Sequence, residues 1–217
     1  MSCSLKLQDV CISLDEKVLF EKLDLHVSHK EKVAIIGENG CGKTTLLETI
    51  AGLHTKQSGL FELFHAPIEE KKDYKPLRDL VGYLFQDSND QFLAPIVEDD
   101  IAFSLLARSL SKLEAKKRVD MILEDFGIEH LRKKVVYNLS GGEKKLVALA
   151  GVLVCEPKLM LLDEPTNALD SKMQEKLITI LSNLDKSIIV VSHHKEFIEQ
   201  FADTIYEVRD KKLVRLT

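Results

Sequence analysis

No stretch of this chain reaches the roughly 18 uninterrupted apolar residues that suggest a membrane-spanning helix, although 45% of its residues are hydrophobic. Work at a membrane would therefore require another chain to hold it there. The first residues, MSCSLKLQDVCISLDEK, lack the basic start and apolar block of a secretory signal, so none is expected. A basic excess is missing too. Thirty Lys and Arg face 35 Asp and Glu, giving a formal net charge of -5. Nucleic-acid binders usually carry a positive surplus, so no nucleic-acid partner is expected. The short run Lys116-Lys117-Arg118 reads as a solvated helix face. Cys3, Cys11, Cys41 and Cys155 are scattered, with no close pair and no zinc-site spacing, which points to free thiols in a reduced compartment. Repeats, low-complexity tracts and Pro/Ser-rich linkers are absent. The 217 residues suit one domain, 1–217, with a full core and room for a small subdomain.

The patterns that are present alternate between two kinds of strand. Leu5, Leu7, Val10 and Ile12, then Leu23, Leu25 and Val27, read as half-buried antiparallel strands. Val33–Ile36, Leu159–Leu162 and Ile188–Val191 are short continuous apolar runs, as in buried strands, and Val81–Phe85 reads as another strand. Gly59–Phe64, Thr204–Val208 and Lys212–Leu216 add further strands. Helical spacing marks Leu46–Ile50, a long stretch from about Val97 to Gly127, Ser140 to before Pro157, Met173–Leu181 and Lys195–Phe201. Ser140 with Glu143 three residues on forms a capping box. Buried strands alternating with helices predict an α/β fold with a mainly parallel sheet, an antiparallel N-terminal β subdomain and a helical insertion over about 87–156.

Gly37-Glu38-Asn39-Gly40-Cys41-Gly42-Lys43-Thr44 matches the P-loop spacing between a strand and a helix. Polyphosphate needs many donors in a small space. Glycines let successive N–H groups turn inward, and the helix N-terminus adds partial positive charge. Lys43 is expected on the β- and γ-phosphates, Thr44 on Mg²⁺, and Thr45 on the phosphates. Cys41 reads as a small tolerated side chain in the loop. The strand Leu159–Leu162 ends in two acids. Asp163 suits Mg²⁺ through a water, and Glu164 suits the orientation and polarisation of an attacking water. Pro165 biases Glu164 toward an extended backbone.

Leu139-Ser140-Gly141-Gly142-Glu143 resembles the LSGGQ signature of ABC ATPases, with Glu143 in the last place. Other elements follow in the family's order. Gln86 resembles the Q-loop glutamine, Asn167-Ala168-Leu169-Asp170 the D-loop, and His193 the switch histidine. The resemblance covers essentially the whole chain and implies a P-loop NTPase of ABC type, with ATP and Mg²⁺ as cofactors. It implies that Ser140, Gly141 and Gly142 face the γ-phosphate held by a second ABC ATPase subunit, identical or a close paralogue. Asp170 would meet the partner's P-loop. Gln86 would sense Mg²⁺ or the water, and His193 would donate to the γ-phosphate. His194 reads simply as the start of the next helix. The family's usual adenine-stacking aromatic is missing: its place is near Leu14, leaving Phe20 or aliphatic packing as substitutes.

The segment Phe85-Gln86-Asp87-Ser88-Asn89-Asp90-Gln91-Phe92, continuing through Val97 to Phe103, is similar to the energy-coupling-factor importers, with Leu93 where a second aromatic is usual. The run LSGGEKK, Leu139–Lys145, is also common in that group, which imports cobalt, nickel or vitamins. The chain lacks the additional C-terminal region of many vitamin-importer ATPases, which favours the metal-ion branch. Its seven scattered histidines form no site for the transported metal. The resemblance implies an ATP hydrolase at the cytoplasmic face of the cell membrane, docked through Val97–Leu106. Its partners would be an integral membrane coupling subunit and a substrate-binding membrane subunit. A soluble ABC ATPase acting on ribosomes or DNA is the rival reading. A second ATPase domain or a long coiled coil would mark it, and neither is present. A scaffold with a dead site is disfavoured because every proposed catalytic residue is in place.

Overall fold

The computed structural model describes residues 3–167 and 169–216. β1 (Cys3–Leu14) and β2 (Lys17–Ser28) form an antiparallel hairpin. Asp15 and Glu16, both at positive φ, make its two-residue turn, which matches the right-handed twist of the flanking strands. The buried phase of β1 switches between Leu7 and Val10 because the register shifts there, with Asp9 at φ 51°. That bulge is why 5, 7 and then 10, 12 point inward.

β3 (Lys32–Ile36) runs into the glycine-rich loop and then α1 (Lys43–Ile50). β4 (Ser58–Leu63) pairs with β1, and the short β5 (Ala66–Pro67) completes the N-terminal sheet in the order β2-β1-β4-β5. After β6 (Val81–Leu84) come α2 (Val97–Ala107), α3 (Lys112–Asp125) and α4 (Gly141–Leu153). The expected continuous helix over 97–127 is thus two helices. Ser109 takes a positive φ of 65°, and the Ser111 hydroxyl caps α3 by accepting from the Glu114 N–H. β7 (Leu159–Asp163), α5 (Ser171–Ser182), β8 (Ser187–Val191), α6 (Lys195–Phe201), β9 (Thr204–Arg209) and β10 (Lys212–Arg215) follow.

The second sheet has the order β10-β9-β3-β8-β7-β6, parallel throughout except for β10. Its central strands β3, β7 and β8 are almost wholly apolar because each face meets a different core. Val33, Ile35, Leu161 and Ile189 pack toward α1 and the N-terminal sheet. Ala34, Leu162, Ile188 and Val190 pack toward the helices on the other side. α1 lies between the two sheets with Leu46, Leu47 and Ile50 buried. The ends of β3 and β7 therefore carry their following residues to one edge, where open α/β sheets bind ligands. Among the described residues no helix is long and apolar enough to cross a membrane.

Candidate functional site

Gly42 caps α1 at φ 104°. A Cβ there would stand 2.9 Å from Phe20 and 3.2 Å from Leu19, so both conformation and space demand glycine. The loop is thereby drawn down onto the N-terminal sheet. Lys43 is buried, and its ammonium donates to the carbonyls of Gly37 and Glu38 at 2.8 Å each. The lysine is thus held back across its own loop. Glu38, Asn39 and Gly40 are exposed, and Cys41 is partly so.

A cleft of about 650 Å³ opens beside this loop. Gly42, Lys43, Thr44 and Thr45 line one end, and Gln86, Asp163 and Glu164 line its side. Leu14 and Leu19 supply an aliphatic end. Phe20 does not: it is fully buried beneath Gly42, which removes it as a base-stacking residue. Its position in β2 points it into the core opposite Ile12.

Asp163 ends β7 at 1% exposure, and neither carboxylate oxygen has a hydrogen-bond partner of good geometry in the protein. Burial pushes its pKa above the ordinary aspartate value, the nearby Thr44 hydroxyl and Lys145 oppose that, and Glu164 and Glu48 add to it. Two orphaned, buried oxygens beside a threonine hydroxyl and an amide make a donor set that fits a hard divalent cation.

Glu164 departs from expectation. Its φ is 47°, not extended, despite Pro165. Its N–H donates to the Val191 carbonyl at 2.9 Å, while Oε1 lies 3.0 Å from His193 Nδ1. These two tertiary contacts override the local bias of the following proline. Such a backbone costs on the order of 1–3 kcal/mol and persists only where surroundings enforce it. Oε2 of Glu164 is buried without a partner.

Ser140, Gly141 and Gly142 open α4, with the predicted capping box in place: the Ser140 hydroxyl accepts from Glu143 N–H, and Glu143 accepts from Ser140 N–H. Ser140 and Gly142 do not reach the P-loop cleft. Gly141 lines a neighbouring cavity of about 600 Å³ that shares Thr44, Gln86 and Asp163 with that cleft. Asp170 also stays away from the cleft, and its side chain caps α5 by accepting from Met173 N–H at 2.8 Å. Within the D-loop resemblance, Ala168 lies outside the described residues. His194 caps α6, as its place in the sequence suggested.

Sequence reasoning missed three residues that build this region. Asp100 accepts from the N–H groups of Leu93 and Ala94 and closes the loop before α2. Gln91 accepts from Phe85 N–H and donates to the Ala148 carbonyl, tying the Gln86 loop to α4. Lys145, buried in α4, donates to the carbonyls of Phe85 and Gln86. Gln91 and Asp100 stood inside the energy-coupling-factor resemblance, which was the available signal. Lys145 ends the LSGGEKK run, Leu139–Lys145, within the same resemblance, but nothing in that run shows that its ammonium is buried.

The profile of the ABC transporter family matches residues 20–167. The chain belongs to the ABC transporter ATP-binding family. A putative ABC transporter ATP-binding protein of Brucella suis is 42% identical over 97% of this chain and 87% of its own length. The energy-coupling factor transporter ATP-binding protein EcfA of Methanoculleus marisnigri is 37% identical over 88% of this chain and 70% of its own. Among solved structures, CbiO1 of Clostridium perfringens, part of the ABC transporter complex CbiONQ, superposes with TM-score 0.88 at 32% identity, covering 99% of this chain and 88% of that one. An ATP-binding cassette in a dimeric post-hydrolysis state with ADP and Pi superposes with TM-score 0.85 at 28% identity, covering 97% of both chains. As a member of this ABC family the protein binds ATP and hydrolyses it in a reaction coupled to transport.

Proposed function

We propose that this chain is the ATPase subunit of an energy-coupling-factor importer for a transition-metal ion, cobalt or nickel. The Gln86–Phe103 segment and the likeness to EcfA and to CbiO1 support the importer class. The chain sits at the cytoplasmic face of the membrane. Its partners are an integral membrane coupling subunit, a substrate-binding membrane subunit and a second ABC ATPase subunit. Residues 87–156 act as the helical subdomain of a single domain spanning 1–217, and Val97–Leu106 contributes to docking.

The observation that carries the catalytic reading is the orphaned Asp163 carboxylate beside Thr44 and Gln86, with Glu164 next to it in the chain. The N–H groups of Gly37, Glu38, Asn39, Gly40, Cys41 and Gly42, with Lys43 and Thr45, cradle the phosphates. Lys43 exchanges its two carbonyl partners for phosphate oxygens. Thr44, Gln86 and Asp163 hold Mg²⁺, which supplies charge neutralisation of the β- and γ-phosphates when bound. Glu164 orients and polarises the attacking water, and His193 holds Glu164 and donates to the γ-phosphate. Ser140, Gly141, Gly142 and Asp170, none of which lines the P-loop cleft of their own chain, serve the nucleotide of the second subunit, so closure completes the site.

The test is purification of the tagged chain from native membranes in mild detergent, followed by ATPase assay of the assembly and metal-uptake assays. A small integral membrane partner with a substrate-binding membrane subunit is the expected recovery. Ribosomes or DNA-bound proteins without a membrane partner would end the transporter reading and leave the ATPase intact.

A further inference from the structure

Lys145 is 3% exposed, and no proposed step uses it. A buried ammonium is costly unless paired and hydrogen-bonded, so its partners define its role. Nζ donates to the Gln86 carbonyl at 2.8 Å and to that of Phe85 at 3.3 Å. Those carbonyls lie just past the end of β6, where strand pairing with β7 has stopped at Leu84. Two more contacts bind the same loop to the same helix. Gln91 donates to the Ala148 carbonyl at 2.8 Å, and Lys144 donates to the Asn89 side chain at 3.0 Å. Lys145 differs from Gln91 in lining the cavity shared with Thr44, Gln86 and Asp163, and from Lys144, which lines it too, in being buried and bound to the backbone of Gln86 itself.

We infer that Lys145 is a positioning residue for ATP hydrolysis, clamping the backbone of Gln86 to the signature helix α4. The inference rests on the proposed role of Gln86 at the cation and water. A clamp at the backbone fixes where the Gln86 side chain starts. It also obliges the loop and α4 to shift together, because the ammonium cannot follow one and leave the other without stranding a buried charge. Burial draws the ammonium pKa down, while Asp163, Asp87 and Glu164 oppose that and favour the charged form. A neutral side chain of similar length fills the space and does not hold both carbonyls. A guanidinium does hold them.

The test is steady-state ATPase of the full-length chain carrying Lys145→Met, Lys145→Arg, Gln86→Ala and the Gln86→Ala/Lys145→Met pair. Lys145→Met is expected to lower kcat about 10-fold with KM for ATP within about 2-fold, the pattern of an interaction made only in the transition state. Lys145→Arg restores most of the rate. In the Gln86→Ala background Lys145→Met adds no further loss, because one residue acts through the other. An equal loss in both backgrounds, or a normal kcat in Lys145→Met, overturns the inference. A wild-type rate in Gln86→Ala alone sinks the proposed role of Gln86 and this inference with it, and is told apart by that single variant. Should Lys145→Met not fold, Lys145→Gln, which keeps an amide donor without charge, takes its place in the same cycle with the same readings.

Discussion

His193 Nδ1 stands 3.0 Å from Glu164 Oε1, pairing an imidazole that is 65% exposed with a carboxylate that is 9% exposed. The histidine therefore reaches the acid from the solvent side, at the surface a nucleotide or second subunit would cover. The free Oε2 is left for a water. The residue is held at both ends, since its backbone N–H donates to the Val191 carbonyl. Glu164→Gln keeps the shape and removes the proposed base. Its kcat should fall about 10²–10⁴-fold with ATP binding retained, and ATP should hold the variant as a dimer in size-exclusion chromatography. His193→Ala releases the carboxylate and should cost up to about 10²-fold, the penalty of a misplaced catalytic group. Wild-type turnover by Glu164→Gln would remove the assignment of the base.

Asp163 ties function to instability. Its folded pKa lies above the ordinary aspartate value of 3.8, chiefly through burial. For a group shifted upward, its contribution to stability is fully present below the unfolded pKa and lost as pH rises through the folded one. Above that raised pKa the buried carboxylate therefore opposes folding of the metal-free chain. Asp163→Asn should raise Tm by about 2–4 °C per kcal/mol recovered at pH 7 and abolish Mg²⁺-dependent hydrolysis. The Tm gap should close as pH falls through the raised pKa. Glu98 and Glu143 titrate the other way, lowered first by Lys133 and by the Ser140 N–H respectively. Their contributions hold above the ordinary 4.5 and are lost toward acid in wild type and variant alike. Scanning calorimetry of both proteins across pH reads the difference, and a less stable Asp163→Asn at pH 7 contradicts the account.

Local patterns made the core legible. Val33–Ile36, the P-loop spacing and the acids after Leu162 each belong to short segments whose roles are set within a few residues. The misreadings share a cause in tertiary structure. The stretch 97–127 has helical spacing on both sides of Ser109, and only the packing of α2 against α3 and α4 shows where it turns. Phe20 is near the right place in sequence for a base-stacking ring, but strand alternation with the Ile12 pairing turns it inward. Glu164 obeys Val191 and His193, 27 and 29 residues away in the chain, and not Pro165 beside it. The burial of Lys145 was not legible because its acceptors are backbone carbonyls about 60 residues distant.

The glycines of the loop are not equivalent. A Cβ at Gly42 meets Phe20 and Leu19, and its φ is 104°. Gly40, at φ 75°, has nothing within 4 Å of a Cβ. Gly40→Ala should therefore cost only the left-handed backbone penalty, about 1–2 kcal/mol. Gly42→Ala adds overpacking of about 1–3 kcal/mol and should also lose ATP binding, because the loop must lift off the sheet. Chemical denaturation and nucleotide titration of the two variants separate these effects. Equal destabilisation would mean that Phe20 yields.

At the tip of the first hairpin Leu14 is 38% exposed, faces Lys17 across the turn, and lines the P-loop cleft with Leu19. With the phosphates on Gly42–Thr45 as proposed, these aliphatic side chains are apolar surface left for a base. Aliphatic contact depends on buried area and not on ring electronics, so adenine and guanine should be bound within a few-fold of each other. An aromatic ring at the same position adds stacking, worth about 1–3 kcal/mol per base by substitution. Part of that is already supplied by the leucine it replaces. Leu14→Tyr should therefore bind ATP about 3- to 10-fold tighter, with kcat little changed because the hairpin tip touches none of Asp163, Glu164 or His193. Competition of ATP and GTP against a fluorescent ATP analogue reads both expectations. Unchanged or weaker binding in Leu14→Tyr would place the base elsewhere, away from the hairpin.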